Sequence, residues 1–294
     1  MSQRRPRPSA MAVNLQGHSA TFARYGSPIA GVTSLTAAES PPRCSPHADW
    51  VLCGMVTTPN TAHGPTASPI AKAIEDALEG RMLLTHPFYK RWEAGTLQPG
   101  ELGEYARQYR SFEAALPQVL SGVIERLAAD GSKDVAEMVQ RNLDDELGHP
   151  EPHLALFDRF AAAVSAQDPS TDARIGAGPA AAGLVATYLD LVEEGSVAAL
   201  SAVAAYETQA SAIAASKAEG LRRWYGIGDA GAAFWDVHAV MDADHGDWAI
   251  DALTHLEADP TAVAKAAKRA ADAWWEFLDE READAPVGAA LCAS

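Results

Sequence analysis

Cysteine is scarce. Cys44, Cys53 and Cys292 are the only three in 294 residues, and all lie near the ends of the chain. That excludes a disulfide framework and a cysteine-built zinc site. Between residues 66 and 285 there is none, which also excludes a hydrolase with a cysteine nucleophile in its core. No uninterrupted apolar run approaches the roughly 18 residues that a spanning helix requires, so no membrane partner is expected. Positive charge is short as well. Twenty-three Lys and Arg stand against 39 Asp and Glu, a net −16. A nucleic-acid binder needs a basic surface to displace counterions, and anionic membrane surfaces attract basic segments, so neither partner is expected. Alternating strand-like stretches and internal repeats are missing too. A cytoplasmic protein with neither a nucleic-acid nor a membrane partner is expected.

The composition changes near residue 66. Residues 1–66 contain eight of the 18 prolines and five arginines against two acids, a net +3, which leaves −19 for the remainder. Without sustained periodicity, such a segment cannot bury enough apolar surface to offset the entropy of ordering. It is expected to be a disordered N-terminal extension. Arg4-Arg5 is not followed by the apolar region of an export signal. Met55 is a second candidate start, preceded by either a flexible tail or an extended reading frame. The expected division is 1–66 extension, 67–285 folded domain and 286–294 flexible tail.

From residue 66 onward Ala, Leu, Glu, Arg and Gln dominate, and apolar residues recur at spacings of three and four. The pattern predicts helices near 68–80, 98–128, 132–148, 151–165, 178–194, 196–224, 229–257 and 260–284. Asp259-Pro260 marks a helix boundary. The fold class is all-α, a bundle of about seven to eight helices.

Within these helices, acids stand in apolar surroundings. Glu113 is the only charge between residues 111 and 124, and Glu207 the only one between 200 and 216. Helices that apolar are buried nearly all round, and a buried carboxylate is costly unless neutralised, paired or bound to a cation. Further along, Asp242 lies about 40° from His238 around a helix and His245 about 20° the other way, forming one stripe over two turns. The fourth place is Asn142 to Phe157, where Glu146 is followed by His149 and His153. Pro150 breaks the helix there, and either histidine could join Glu146. As solitary features these residues would read as a protonated glutamate, a solvated face or a helix cap.

Taken together, four helices offer about seven carboxylate and imidazole donors. That is too many for one ion and suitable for two, and the mixed donor set suits iron or manganese. Two scaffolds could hold it. A ferritin-like bundle would use Glu113, Glu146-x-x-His149, Glu207 and Asp242-x-x-His245. A haem-oxygenase-like bundle would use His238, Asp242 and His245 with Glu146 and His153. The first leaves His238 idle and breaks a helix immediately after a ligand, so the second is preferred. Phe112, Leu116, Trp235, Val240 and the alanine-rich 202–216 face are expected to wall the centre from water.

The segments His86-Pro87-Phe88-Tyr89, Tyr105-Ala106-Arg107-Gln108-Tyr109 and Asn142-Leu143 before Asp145-Glu146 are familiar together. With Ala205-Tyr206-Glu207-Thr208-Gln209 through Ser216-Lys217 to Trp224-Tyr225-Gly226-Ile227, they resemble the CADD family of haem-oxygenase-like dimetal oxidases. That family is more distantly related to thiaminase II and pyrroloquinoline-quinone synthase. The resemblance covers about residues 80–284. It implies a haem-oxygenase-like fold and an oxygen-activating centre of two iron ions, or iron plus manganese, with O2 as co-substrate. The implied ligands are Glu113, Glu146, His153, Glu207, His238, Asp242 and His245. It further implies p-aminobenzoate formation from one of the enzyme's own tyrosines, with Lys217 as amino donor and Tyr89, Tyr109 and Tyr206 as the candidate tyrosines. A homodimer is expected from the scaffold. The alternatives are an oxidase of the same scaffold acting on a separate amino acid or lipid, and a metal-free interaction protein that kept the fold.

Overall fold

Proline starts five of the helices in a computed structural model of the chain, which describes residues 68–148, 151–168 and 176–284. At a first helical position its fixed φ is preorganised and its missing N–H costs nothing. The described residues form nine α-helices and no strand: α1 (Pro69–Leu78), α2 (Pro87–Ala94), α3 (Pro99–Ala129), α4 (Lys133–Gly148), α5 (His153–Ser165), α6 (Pro179–Glu194), α7 (Ser196–Trp224), α8 (Asp229–His255) and α9 (Pro260–Ala283). A single 3₁₀ turn, Leu83–Thr85, precedes α2. The expected extension 1–66, the tail 286–294 and His149 lie outside the described residues. None of the described helices is long and apolar enough to cross a membrane.

The helix starts carry local caps. Ser68 Oγ accepts from the Ile70 N–H, and the Asp259 carboxylate accepts from those of Thr261 and Ala262. Gln98 and Glu101 form a capping box at α3. Helix α2 raises the count above the seven or eight expected. Eight residues are too few to show a helical period, but its ends are well marked. His86 Nδ1 accepts from the Phe88 N–H at 3.1 Å, Pro87 follows, and Gly95 closes the helix at φ +69°. The His-Pro-Phe-Tyr motif is thus an N-cap, anchored by His86 Nε2 against Asp279 of α9 at 3.1 Å.

Helix α7 is the spine of the bundle. It packs most extensively along α8, then against α9, while α3 lies against α4, α5 and α6. Alanine supplies much of its buried surface, from Ala199 through Ala218, so neighbouring helices approach closely. Large aromatics fill the space this leaves. Trp92, Tyr105, Tyr109, Phe157, Trp235 and Trp274 are each 3% exposed or less. They meet mostly edge to face, the arrangement ring quadrupoles favour.

Candidate metal centre and tyrosine–lysine chamber

Helix α4 runs Val135, Ala136, Val139, Asn142, Leu143 and Glu146 along its buried side, so Glu146 ends an otherwise largely apolar stripe. It meets α5 at His153, whose Nδ1 lies 3.0 Å from a Glu146 oxygen. The His153 and His238 rings stand 4.6 Å apart. Glu146, His153 and His238 form one group whose donor atoms all lie within 4.8 Å of one another. Glu207 of α7 with Asp242 and His245 of α8 forms a second group by the same measure. All six side chains are buried. Of the two histidines that could join Glu146, His153 is the one the described residues bring there.

Glu113, on α3, belongs to neither group. It is buried, and burial, then the nearby Glu146 and Asp242, push its carboxyl well above the usual range. Those neighbours come one from each group, so the charges of both bear on Glu113. Glu207 is raised by burial and then by Asp242, Glu146 and Glu113. Glu146 goes the other way. Burial works to raise it, but the His153 hydrogen bond and the charges of His238, His153 and His245 carry it below its ordinary value. The His245 imidazole, penalised by burial, is nonetheless raised by Asp242, then Glu146 and Asp145.

These residues fit a pair of metal ions. Among the described residues no lysine or arginine pairs with Glu113, Glu146, Glu207 or Asp242; the buried cations Lys217 and Arg281 are engaged elsewhere. Beyond the burial penalty, the four acids repel one another, a repulsion that adds to the rise of Glu113 and Glu207. A divalent ion in each group would relieve it. His238 is prepared for this role. Its Nδ1 lies 2.8 Å from the Phe234 carbonyl, which can only accept, so Nδ1 carries a proton and Nε2 is the nitrogen left for an ion. Oxygen and imidazole donors in this proportion suit iron or manganese.

Of the residues expected to wall the centre, Phe112 and Trp235 are buried, whereas Val240, 75% exposed, cannot serve. Val240 lies on the outer side of α8, away from the stripe of His238, Asp242 and His245. The nearby Asp236 pairs with Arg222 at the surface.

Next to the acids lies a second buried chamber. Lys217 is 2% exposed, and its Nζ donates to the hydroxyls of Tyr89 at 2.7 Å and Tyr105 at 2.5 Å. Those two hydroxyls are themselves 2.9 Å apart. Ring faces of Tyr89, Trp92, Tyr105, Tyr109 and Trp235 surround the nitrogen. Among the described residues no acid accompanies it, and burial lowers its pKa far below the lysine norm. Tyr109 and Tyr206 share a hydrogen bond of 2.7 Å between hydroxyls, and the Tyr105 and Tyr109 rings are 5.6 Å apart. Tyr206 immediately precedes Glu207, so the tyrosines run from the second acid–histidine group to Lys217. Burial raises all four phenols. Tyr105 is the functional candidate that sequence reasoning passed over. Its spacing of four from Tyr109 places both on one face of α3, a signal that was available.

An all-helical bundle with two buried carboxylate–histidine groups defines an oxidoreductase class. The chain belongs to the family described as iron-containing redox enzyme, whose model matches residues 103–275, with a haem-oxygenase-like fold. It is 35% identical over 217 residues, 70% of this chain and 88% of the relative, to the 4-aminobenzoate synthase of Nitrosomonas europaea. The 4-aminobenzoate synthase of Chlamydia pneumoniae is 28% identical over 208 residues, 70% of this chain and 91% of that one. Among solved structures, a CADD-like protein of unknown function from Nostoc punctiforme aligns with a TM-score of 0.59 at 17% identity, covering 74% of this chain and 96% of its own. A TenA homologue from Pseudomonas syringae gives 0.62 at 15%, covering 75% and 97%. The structural likenesses establish the shared fold.

Proposed function

We propose that this enzyme forms 4-aminobenzoate from its own side chains, drawing the ring from Tyr89 or Tyr105 and the nitrogen from Lys217. The observation that carries this reading is the position of the Lys217 amine, sealed from solvent between two phenol hydroxyls. The product contains an aromatic ring and an amine, and the chamber holds both in contact. It is filled by the protein's own rings, which favours an internal source over a separate substrate. The activity named for the relatives supports the same assignment.

Glu113, Glu146, His153, Glu207, His238, Asp242 and His245 would hold two ions, either two irons or iron with manganese. Bound there, the pair supplies oxidising power drawn from O2. The protein's own groups do the rest. Burial keeps Lys217 in its neutral, nucleophilic form and holds the four tyrosines protonated. The Tyr206–Tyr109 hydrogen bond ties the residue beside Glu207 to a ring that flanks Lys217. The closed aromatic walls keep water from quenching an oxidised ring.

Complementation of a p-aminobenzoate auxotroph tests the proposal. Wild type is expected to restore growth and Lys217→Ala to fail, with the spent protein showing by mass spectrometry a modified residue at position 89 or 105 and at 217. Equal rescue by Lys217→Ala, or a spent protein with all three side chains intact, would overturn it.

A further inference from the structure

The Asn142-Leu143 motif has no part in the scheme above, yet Asn142 is the anomaly of α4. It is 3% exposed, and neither its Nδ2 nor its Oδ1 has a hydrogen-bond partner. A buried amide without partners costs free energy, and a fold ordinarily avoids it. Asn142 stands one helical turn before Glu146, about 40° from it around the axis and about 6 Å along it. Both belong to the same buried stripe, and the stripe's other members, Val135, Ala136, Val139 and Leu143, are apolar. Leucine would satisfy that packing, so an amide there has a purpose beyond filling space.

We infer that Asn142 is a positioning residue that engages only when the centre is loaded, its Nδ2–H donating to an anionic oxygen of that centre, either the Glu146 carboxylate or solvent held by the ions. This rests on the metal reading above. A carboxylate that binds a cation through one oxygen leaves the other to be held, and an amide one turn away on the same helix fixes its rotamer. Supporting hydrogen bonds of this kind typically affect metal affinity by about 10–100-fold.

The test uses Asn142→Leu, which keeps the volume and removes the amide, with Mn2+ as an air-stable probe. Two quantities are read: the melting temperature of the metal-free protein, and Mn2+ affinity from the electron paramagnetic resonance of the free ion. The metal-free variant is expected to melt at or above the wild-type temperature, while Mn2+ affinity falls about tenfold or more. A metal-free variant that melts lower or fails to fold would show the amide serving the fold and overturn the inference, as would unchanged affinity. On the wild-type protein, the side-chain amide resonances of Asn142 are expected to shift on titration with diamagnetic Zn2+; resonances that stay fixed while Zn2+ binds would also overturn it. If wild type binds neither ion, the metal reading itself fails and takes this inference with it, an outcome distinct from normal wild-type binding with an unaffected variant.

Discussion

Burying the Lys217 amine among tyrosine and tryptophan rings takes it out of water with no acid to compensate. Ring faces offset part of that penalty, and the phenol hydroxyls accept its hydrogen bonds, but the neutral form is favoured. The consequence for stability has a definite sign. Between its depressed folded pKa and its ordinary value near 10.4, the unfolded chain binds the proton that the folded chain has lost, so this residue's contribution to stability rises with pH, by at most about 1.4 kcal/mol per unit. Lys217→Met abolishes that linkage. Its stability advantage over wild type is expected to be largest near pH 7 and to shrink toward pH 9.5 in denaturant titrations; an advantage independent of pH would mean that the lysine is charged in its chamber. Glu207 gives a second residue-level expectation. Its carboxyl already favours the protonated form without metal, so Glu207→Gln should leave metal-free melting unchanged or higher. The loss should appear in metal content, at the group of Glu207, Asp242 and His245. A drop in metal-free stability with full metal content would count against that assignment.

Helices α7 and α8 show how much of the centre is legible from sequence and where legibility ends. Glu207 in a run of alanines and the 238/242/245 stripe declare themselves because a carboxylate in an apolar helix requires a partner, and helical spacing fixes which residues share a face. Val240 was misread because hydrophobicity does not reveal on which side of a helix a residue lies when most positions are apolar. Helix α2 escaped notice because eight residues give no period, and Tyr105 because a buried tyrosine ordinarily looks like packing. Least legible of all is the helix spacing. A Cβ at Gly246 would lie 3.1 Å from Thr208 Cα and 3.3 Å from the Glu207 carbonyl, both backbone atoms that cannot swing aside. Glycine at 246 therefore sets how closely α8 approaches α7, next to His245 and opposite Glu207. Gly246→Ala should push the helices apart and lower stability by about 1–3 kcal/mol, the usual range for overpacking. It should weaken metal binding disproportionately, because the second group spans that contact. Thermal melting paired with metal titration checks this. A variant with a lowered melting temperature and wild-type affinity would show that the contact serves the core alone.

For the molecule as a whole, the acid–histidine centre is a stability problem that metal loading solves, and pH reveals the exchange. Burial, followed by the neighbouring acids, raises Glu113 and Glu207 above their unfolded values. A group raised in the fold contributes stability at low pH and loses it as pH climbs from the unfolded value, near 4.3, through the folded one. The metal-free fold is therefore penalised by these two residues as pH rises. Ions that occupy the centre require the same carboxylates without their protons, so binding releases protons and tightens with pH. Because the ions bind the folded chain and not the unfolded one, tighter binding is added stability. The gain in melting temperature on loading with Mn2+ should accordingly grow from pH 5.5 to pH 7.5, and chelation should remove it throughout. The Glu113→Gln/Glu207→Gln double variant, which lacks those two protons, should show a smaller gain with a shallower pH profile, the remaining slope coming from the raised His245 imidazole. A wild-type gain that stayed constant or fell across that range would mean that the ions and the acids do not share a site.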